Sequence, residues 1–111
     1  MADMVRRAAI ACLNDRLRIT GLGGSIFMTA GIAALPKAVR NAAILAVRHF
    51  SDFNPDNDPH GEHDCAVLTV QDQRIIWKID YYPRNDSGVD PFPADPATIK
   101  RVLTIMLAWE Y

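Results

Sequence analysis

Apolar residues recur every three to four positions in some stretches of this chain and every second position in others, and the change of period marks out its elements. From Asp3 to Arg18 they fall at Val5, Ala9, Cys12 or Leu13, and Leu17, with Arg6, Arg7, Asn14, Asp15 and Arg18 between them. That spacing predicts an amphipathic helix, with Asp3 as its N-cap and Thr20-Gly21, then Gly23-Gly24, as its stop. Ile26, Phe27 and Met28 directly follow the glycines and predict a short strand over Ser25 to Thr29. A second helix starts around Pro36, whose fixed φ suits a first helical position. It places Leu35, Val39, Ala42 or Ala43, Ala46 and Phe50 on one stripe, with Lys37, Arg40, Asn41 and Arg48 facing away.

The period then shortens. Cys65 to Val70 and Arg74 to Tyr82 read as the two strands of a hairpin turned by Gln71-Asp72-Gln73. In the second strand Ile75, Trp77, Ile79 and Tyr81 share one face, so Lys78 and Asp80 point to the other. Arg84 to Pro93 carries Gly88, Pro91 and Pro93 and reads as a loop. Asp95-Pro96 then predicts a cap and first turn, and Ile99, Val102, Leu103, Met106 and Trp109 form a stripe, which predicts a closing helix. Ile105 and Leu107 widen that stripe until little polar face is left, so the helix is either central to the core or partly buried in a partner. A homodimer through Ile99–Tyr111, with Trp109 and Tyr111 at the seam, follows as an expectation. The order α-β-α-β-β-α describes a single α+β domain over residues 1–111, with a small, mostly antiparallel three-stranded sheet packed by helices.

At 111 residues, half of them hydrophobic, the chain can bury a core without staples, which argues against disorder. Its two cysteines, Cys12 and Cys65, read as buried thiols in a reducing compartment rather than as a disulfide. The apolar run Ala8 to Leu13 is too short for an export signal and is followed at once by Asn14, Asp15 and Arg16. No other stretch approaches the length of a membrane span, so the expected location is the cytoplasm. The net charge of −1 hides an asymmetry: residues 1–50 carry seven Lys or Arg against two acids, and residues 51–111 five against eleven. The halves should attract, a basic helical layer meeting an acidic sheet and loop, which disfavours a nucleic-acid footprint.

The most concentrated chemistry lies in SDFNPDNDPHGEHD, Ser51 to Asp64, with five acids, two histidines and no Lys or Arg. Its prolines and glycine make it a loop, and loops that concentrate charge often carry function. His60, Glu62, His63 and Asp64, with Asp56 and Asp58, offer nitrogen and oxygen ligands for a divalent metal such as zinc or manganese. Asp56, Asp58, His60 and Gly61 match the start of a calcium loop, but Val67 stands where that loop needs a bidentate Glu. The two histidines are three apart around a glycine, which is not the helical zinc-protease spacing. A plainer reading has these side chains bonding their own backbone and capping the next strand.

Other candidates are weaker. Asp80 could meet His63 or Asp64 and set up general acid and base catalysis. Cys65 reads as a buried thiol at a strand start rather than a nucleophile. Gly21-Leu-Gly23-Gly24 follows a helix and precedes a strand, the reverse of the dinucleotide fingerprint, and reads as a turn. The arginines Arg6, Arg7, Arg16, Arg18, Arg40 and Arg48 read as solvated helix faces, and Tyr81 with Tyr82 as a sheet-edge pair.

PDNDPHGEHD (Pro55 to Asp64), WKIDYYP (Trp77 to Pro83), DPFPADPATIKRVLTIMLAWEY (Asp90 to Tyr111) and the opening helix around Leu13-Asn14-Asp15 together resemble a bacterial family of unknown function. In that family's pattern an aromatic follows the His-Asp pair and an acid follows the tandem tyrosines; Cys65 and Pro83 depart from it. The resemblance implies a short, stand-alone cytoplasmic protein encoded among plasmid and mobile-element genes, with no established reaction.

These readings converge on a non-enzymatic protein-binding module, of the kind a mobile element uses to inhibit a bacterial defence system of the anti-CRISPR or anti-restriction type. Asp56, Asp58, His60, Glu62, His63 and Asp64 would contact a basic partner surface. The rival is a metal-dependent hydrolase or nuclease-like enzyme, with His63, Asp64 and Asp80 as its catalytic set and His60, His63 and Asp64 as metal ligands.

Overall fold

The computed structural model describes residues 2–84 and 92–111. The loop expected between Arg84 and Pro93 therefore lies, over residues 85–91, outside the described residues.

Helix α1 (Ala2–Thr20) runs into the glycine turn, where Gly21 at φ +79 donates its N–H to the Leu17 carbonyl at 2.8 Å and ends the helix as a left-handed cap. Strand β1 (Gly24–Met28) follows. Gly24 has a specific steric reason: a Cβ there would stand 2.5 Å from the Arg101 carbonyl oxygen and 2.9 Å from the Leu17 side chain. A short helix α2 (Ala30–Ala33), absent from the sequence reading, precedes α3 (Lys37–His49), whose N-cap is Pro36. The hairpin forms as expected from β2 (Cys65–Val70) and β3 (Gln73–Pro83), with Gln71 and Asp72 both at positive φ. That pair of left-handed residues is the two-residue turn that matches strand twist.

The closing segment differs from the expected helix. Ile99–Leu107 is a strand, β4, followed by a single 3-10 turn over Ala108–Glu110. The 3.6-residue stripe was one of two periods in this segment: Ile99, Arg101, Leu103, Ile105 and Leu107 alternate and are all buried. Arg101 masked the alternation because it reads as polar, and β3, eleven residues long, needed a partner along its second edge. Nine register pairs, from Ile75 with Leu107 to Pro83 with Ile99, supply it. Asp95 accepts from the Ala97 N–H at 3.0 Å as a turn residue instead of capping a helix. The homodimer seam drawn on a C-terminal helix therefore has no helix to form on.

The result is an α+β fold with a four-stranded mixed sheet in the order β1-β4-β3-β2, β1 parallel to β4 and the other pairs antiparallel. This replaces the expected three-stranded sheet and its α-β-α-β-β-α order. Leu17, Ile32, Ala43 and Val47 from the helices pack on Ala66, Ile75, Trp77, Ile79, Leu103, Ile105 and Leu107. All the sheet residues in that core project from one face, so the helices cover one side. Ile76, Lys78, Asp80 and Tyr82 project from the other.

The stripe on α1 is also rotated from the expected one. Ile10, Ala11, Asn14, Leu17 and Arg18 are buried, while Val5 is 71% exposed. Both thiols, expected to be buried, are free and exposed.

Candidate functional site

The loop from Ser51 to Asp64 is held by its own side chains. Asn54 Oδ1 accepts from the Asp56 and Asn57 amides, Asn57 Oδ1 accepts from the Asn54 amide, and Asn57 Nδ2 donates to the Asp52 carbonyl. These are Asx turns, in which a short polar side chain replaces a backbone acceptor. Pro59 then leads a turn closed by the Gly61 N–H on the Asp58 carbonyl at 3.0 Å. Asp58 is 8% exposed and accepts from the amides of Glu62 and His63. His63 adopts φ +54, a left-handed conformation uncommon outside glycine, and the Asp58 contact helps hold it there.

His63 is the centre of the arrangement. Its ring stacks on Phe53 with centroids 3.9 Å apart and planes 3° from parallel. Nδ1 lies 3.0 Å from both carboxylate oxygens of Asp15, and Nε2 lies 3.7 Å from Asp58 Oδ2. Asp15 in turn accepts from Arg18 Nη2 at 3.1 Å. Arg18, 2% exposed, sends Nη1 to the carbonyls of Val47, Arg48 and Phe50, the open end of α3, and lies over the rings of Phe53 and Trp77. A line of polar contacts, Arg18, Asp15, His63, Asp58, thus ties two helices to the loop. The Asp15 contact and the Phe53 stack together fix the orientation of the imidazole.

Beside this line Asn14, fully buried, donates from Nδ2 to the Glu62 carbonyl at 3.0 Å and to the Tyr81 hydroxyl at 2.8 Å, and accepts from Arg101 Nε. Arg101 also donates to the Pro93 carbonyl. Burial pushes the Tyr81 phenol up to about 12; the Asn14 hydrogen bond opposes this, and Glu62 and Asp64 add to it. Burial likewise raises the Glu62 carboxyl, with Asp64 reinforcing it and His60 and Arg7 opposing.

The expected site residues separate into groups. Asp58 and His63 face inward, Asp56 and His60 are exposed, and Glu62 and Asp64 are half-buried. Asp64 and Asp80 both line a groove of about 500 Å³ with Cys65, Lys78 and Tyr111. There Asp80 bonds Lys78 Nζ at 2.9 Å, which holds that ammonium above its usual range. His60 and His63 instead line a cleft of about 430 Å³ with Met4, Arg7 and Phe53. The expected meeting of Asp80 with His63 is absent because they lie on opposite sides of the sheet. Among the described residues no three His, Cys, Asp or Glu side chains are placed to hold a metal.

Asn14, Asp15, Arg18 and Tyr81, which organise the site, were read from sequence as solvated or edge residues. The available signal was the Asn-Asp pair in the Leu13-Asn14-Asp15 motif, one helical turn ahead of Arg18. Among the described residues no helix is long and apolar enough to cross a membrane.

No curated protein and no solved structure matches the chain. A family model described as "Protein of unknown function (DUF3768)" matches residues 28–110, from the last residue of β1 to the closing turn, and the chain belongs to that family.

Proposed function

We propose that this protein is a non-enzymatic binding module whose 52–64 loop docks on a basic surface of a protein partner. The observation that carries the reading is the division of labour in the loop. Asp58, His63, Asn54 and Asn57 are engaged internally, while Asp52, Asp56 and His60 stay exposed. A loop ordered before it binds loses little conformational entropy on docking, so its outward acids act as a preset array. Glu62 and Asp64 extend that array along its half-buried margin. Asp58 and His63, first counted among the contacts, serve as its frame.

An anionic array on a small rigid body competes with phosphates for basic surfaces that grip nucleic acid. That chemistry supports the narrower reading, a cytoplasmic, mobile-element-encoded inhibitor of a bacterial defence complex. The test is capture of restriction or CRISPR effector complexes by the intact chain and by an Asp56→Asn/Glu62→Gln/Asp64→Asn variant. Capture that weakens with the variant and with rising salt supports the reading; equal capture by both removes the loop from the interface.

A second reading rests on the 3.0 Å contact of His63 with Asp15. Here His63 is the acid–base group of a hydrolase or nuclease-like enzyme, with Asp15 as the carboxylate beside it in place of the expected Asp80. Hydrolysis of phosphodiester substrates, with and without added zinc or manganese and lost in His63→Ala, would favour it.

A further inference from the structure

β1 is an edge strand with the sequence of a strand covered on both faces. Ile26 and Met28 project toward the helical side and Phe27 toward the opposite one, so apolar side chains leave this short strand on both faces. Yet Ile26 is 43%, Met28 45% and Phe27 56% exposed. Edge strands ordinarily avoid pairing through charges, prolines or bulges. Gly24–Met28 contains no charge and no proline, and its register with β4 runs without a bulge.

The outward backbone groups follow from the ladder. The Thr29 N–H donates to the Ile105 carbonyl, and in a parallel pair the residues that bond a given neighbour alternate. Ser25 and Phe27 therefore bond β4, whereas Gly24, Ile26 and Met28 turn both N–H and C=O away from it. Among the described residues no turn or loop backbone bond reaches them.

We propose that this edge is an interface with a second copy of the chain, the two β1 strands pairing antiparallel about a two-fold axis at Ile26. Every outward donor then meets an acceptor: Ile26 pairs with its own copy and Gly24 with Met28 of the other chain. Ser25 falls opposite Phe27, so the small residues Gly24 and Ser25 make room for the large ones. Charge fits as well. Arg16 is exposed and its guanidinium lies 3.8–3.9 Å from where a Gly23 Cβ would stand. The same register sets Gly23 opposite Thr29 of the other copy, whose hydroxyl donates to Glu110 at 2.6 Å. Just past the paired residues this brings each Arg16 toward the other copy's Glu110, opposite charges repeated twice about the axis. The two sheets become one continuous sheet, and the seam uses no residue of the acidic loop.

Light scattering on the full chain tests this, with a mass about twice 12.3 kDa expected at concentrations up to about 100 µM. Ile26→Lys sets two ammonium groups face to face, and Ile26→Pro removes an N–H that the chain's own ladder does not use. Both variants should be folded monomers by circular dichroism, while Val67→Lys on the opposite edge should remain a dimer. In a Cys12→Ser/Cys65→Ser background, Ser25→Cys mixed with Phe27→Cys should oxidise to a crosslinked pair, because those positions directly oppose. Either variant alone should crosslink more slowly. A monomer at every concentration overturns the proposal and leaves the edge bare or to a foreign strand. A dimer that survives both Ile26 variants, or crosslinks without regard to register, overturns it by moving the seam elsewhere.

Discussion

Arg101 donates its Nε proton to Asn14 Oδ1 at 2.9 Å, joining two buried polar residues 87 positions apart in the chain. Through Asn14 the contact continues to the Glu62 carbonyl and the Tyr81 hydroxyl, so one amide links α1, the acidic loop, β3 and β4. Removing it leaves several buried groups without partners, which costs more than the bonds themselves contribute. Asn14→Ala should destabilise the fold by about 3 kcal/mol. Denaturant unfolding checks this; a loss below about 1 kcal/mol would mean that water or neighbours replace the amide.

Arg18 satisfies three carbonyls at the end of α3 with one nitrogen and holds Asp15 with another, while its plane covers Phe53 and Trp77. A lysine keeps the charge but lacks the fork and the flat face. Arg18→Lys should therefore cost about 2 kcal/mol and speed amide exchange in the loop that follows α3. Stability equal to the parent would show that charge alone suffices.

Tyr81 titrates near 12 in the folded chain against an ordinary 10.0. Because the folded value is raised, its contribution to stability is complete below pH 10.0 and is lost as pH rises toward 12. The absorbance of tyrosinate should show one phenol ionising late, and that late step should vanish in Tyr81→Phe. A Tyr81→Phe chain with the same alkaline unfolding profile as the parent would contradict this assignment.

Glu110 behaves in the opposite sense. Its carboxylate accepts from the Thr29 hydroxyl and from the Leu107 and Gly31 amides, and these bonds, Thr29 foremost, hold its pKa below the ordinary 4.5. The stabilisation is present above pH 4.5 and is lost as pH falls through the depressed value. Amide exchange at Gly31, corrected for intrinsic rate, should accelerate in acid and be fast at neutral pH in Glu110→Gln. Gly31→Ala should have a related effect, since a Cβ there would stand 2.4 Å from Glu110 Oε1.

Much of the fold was legible from the chain. The first helix and its glycine stop, the short strand after it, the helix from Pro36 and the β2–β3 hairpin follow from local periodicity and turn chemistry, and all are observed. The closing strand was misread because Ile99, Leu103 and Met106 satisfy a helical period while Arg101 interrupts the alternating one. An arginine in a buried row is legible only once Asn14 and the Pro93 carbonyl are known to receive it. The loop's internal turns were visible in its Asn, Asp and Pro content. Its docking on Asn14 and Asp15 was not, because those contacts depend on which face of α1 meets the sheet.

By itself the sequence determined the elements whose period, caps and turns are local, and it concentrated carboxylates and imidazoles in one bend. Tertiary structure alone decided that Asn14, Arg18 and Arg101 lie inside, that the last segment is a strand and that His63 sits between Asp15 and Asp58. The physical reason is that a polar side chain is stable in the interior only when distant groups complete its hydrogen bonds, and no local pattern encodes where those partners arrive.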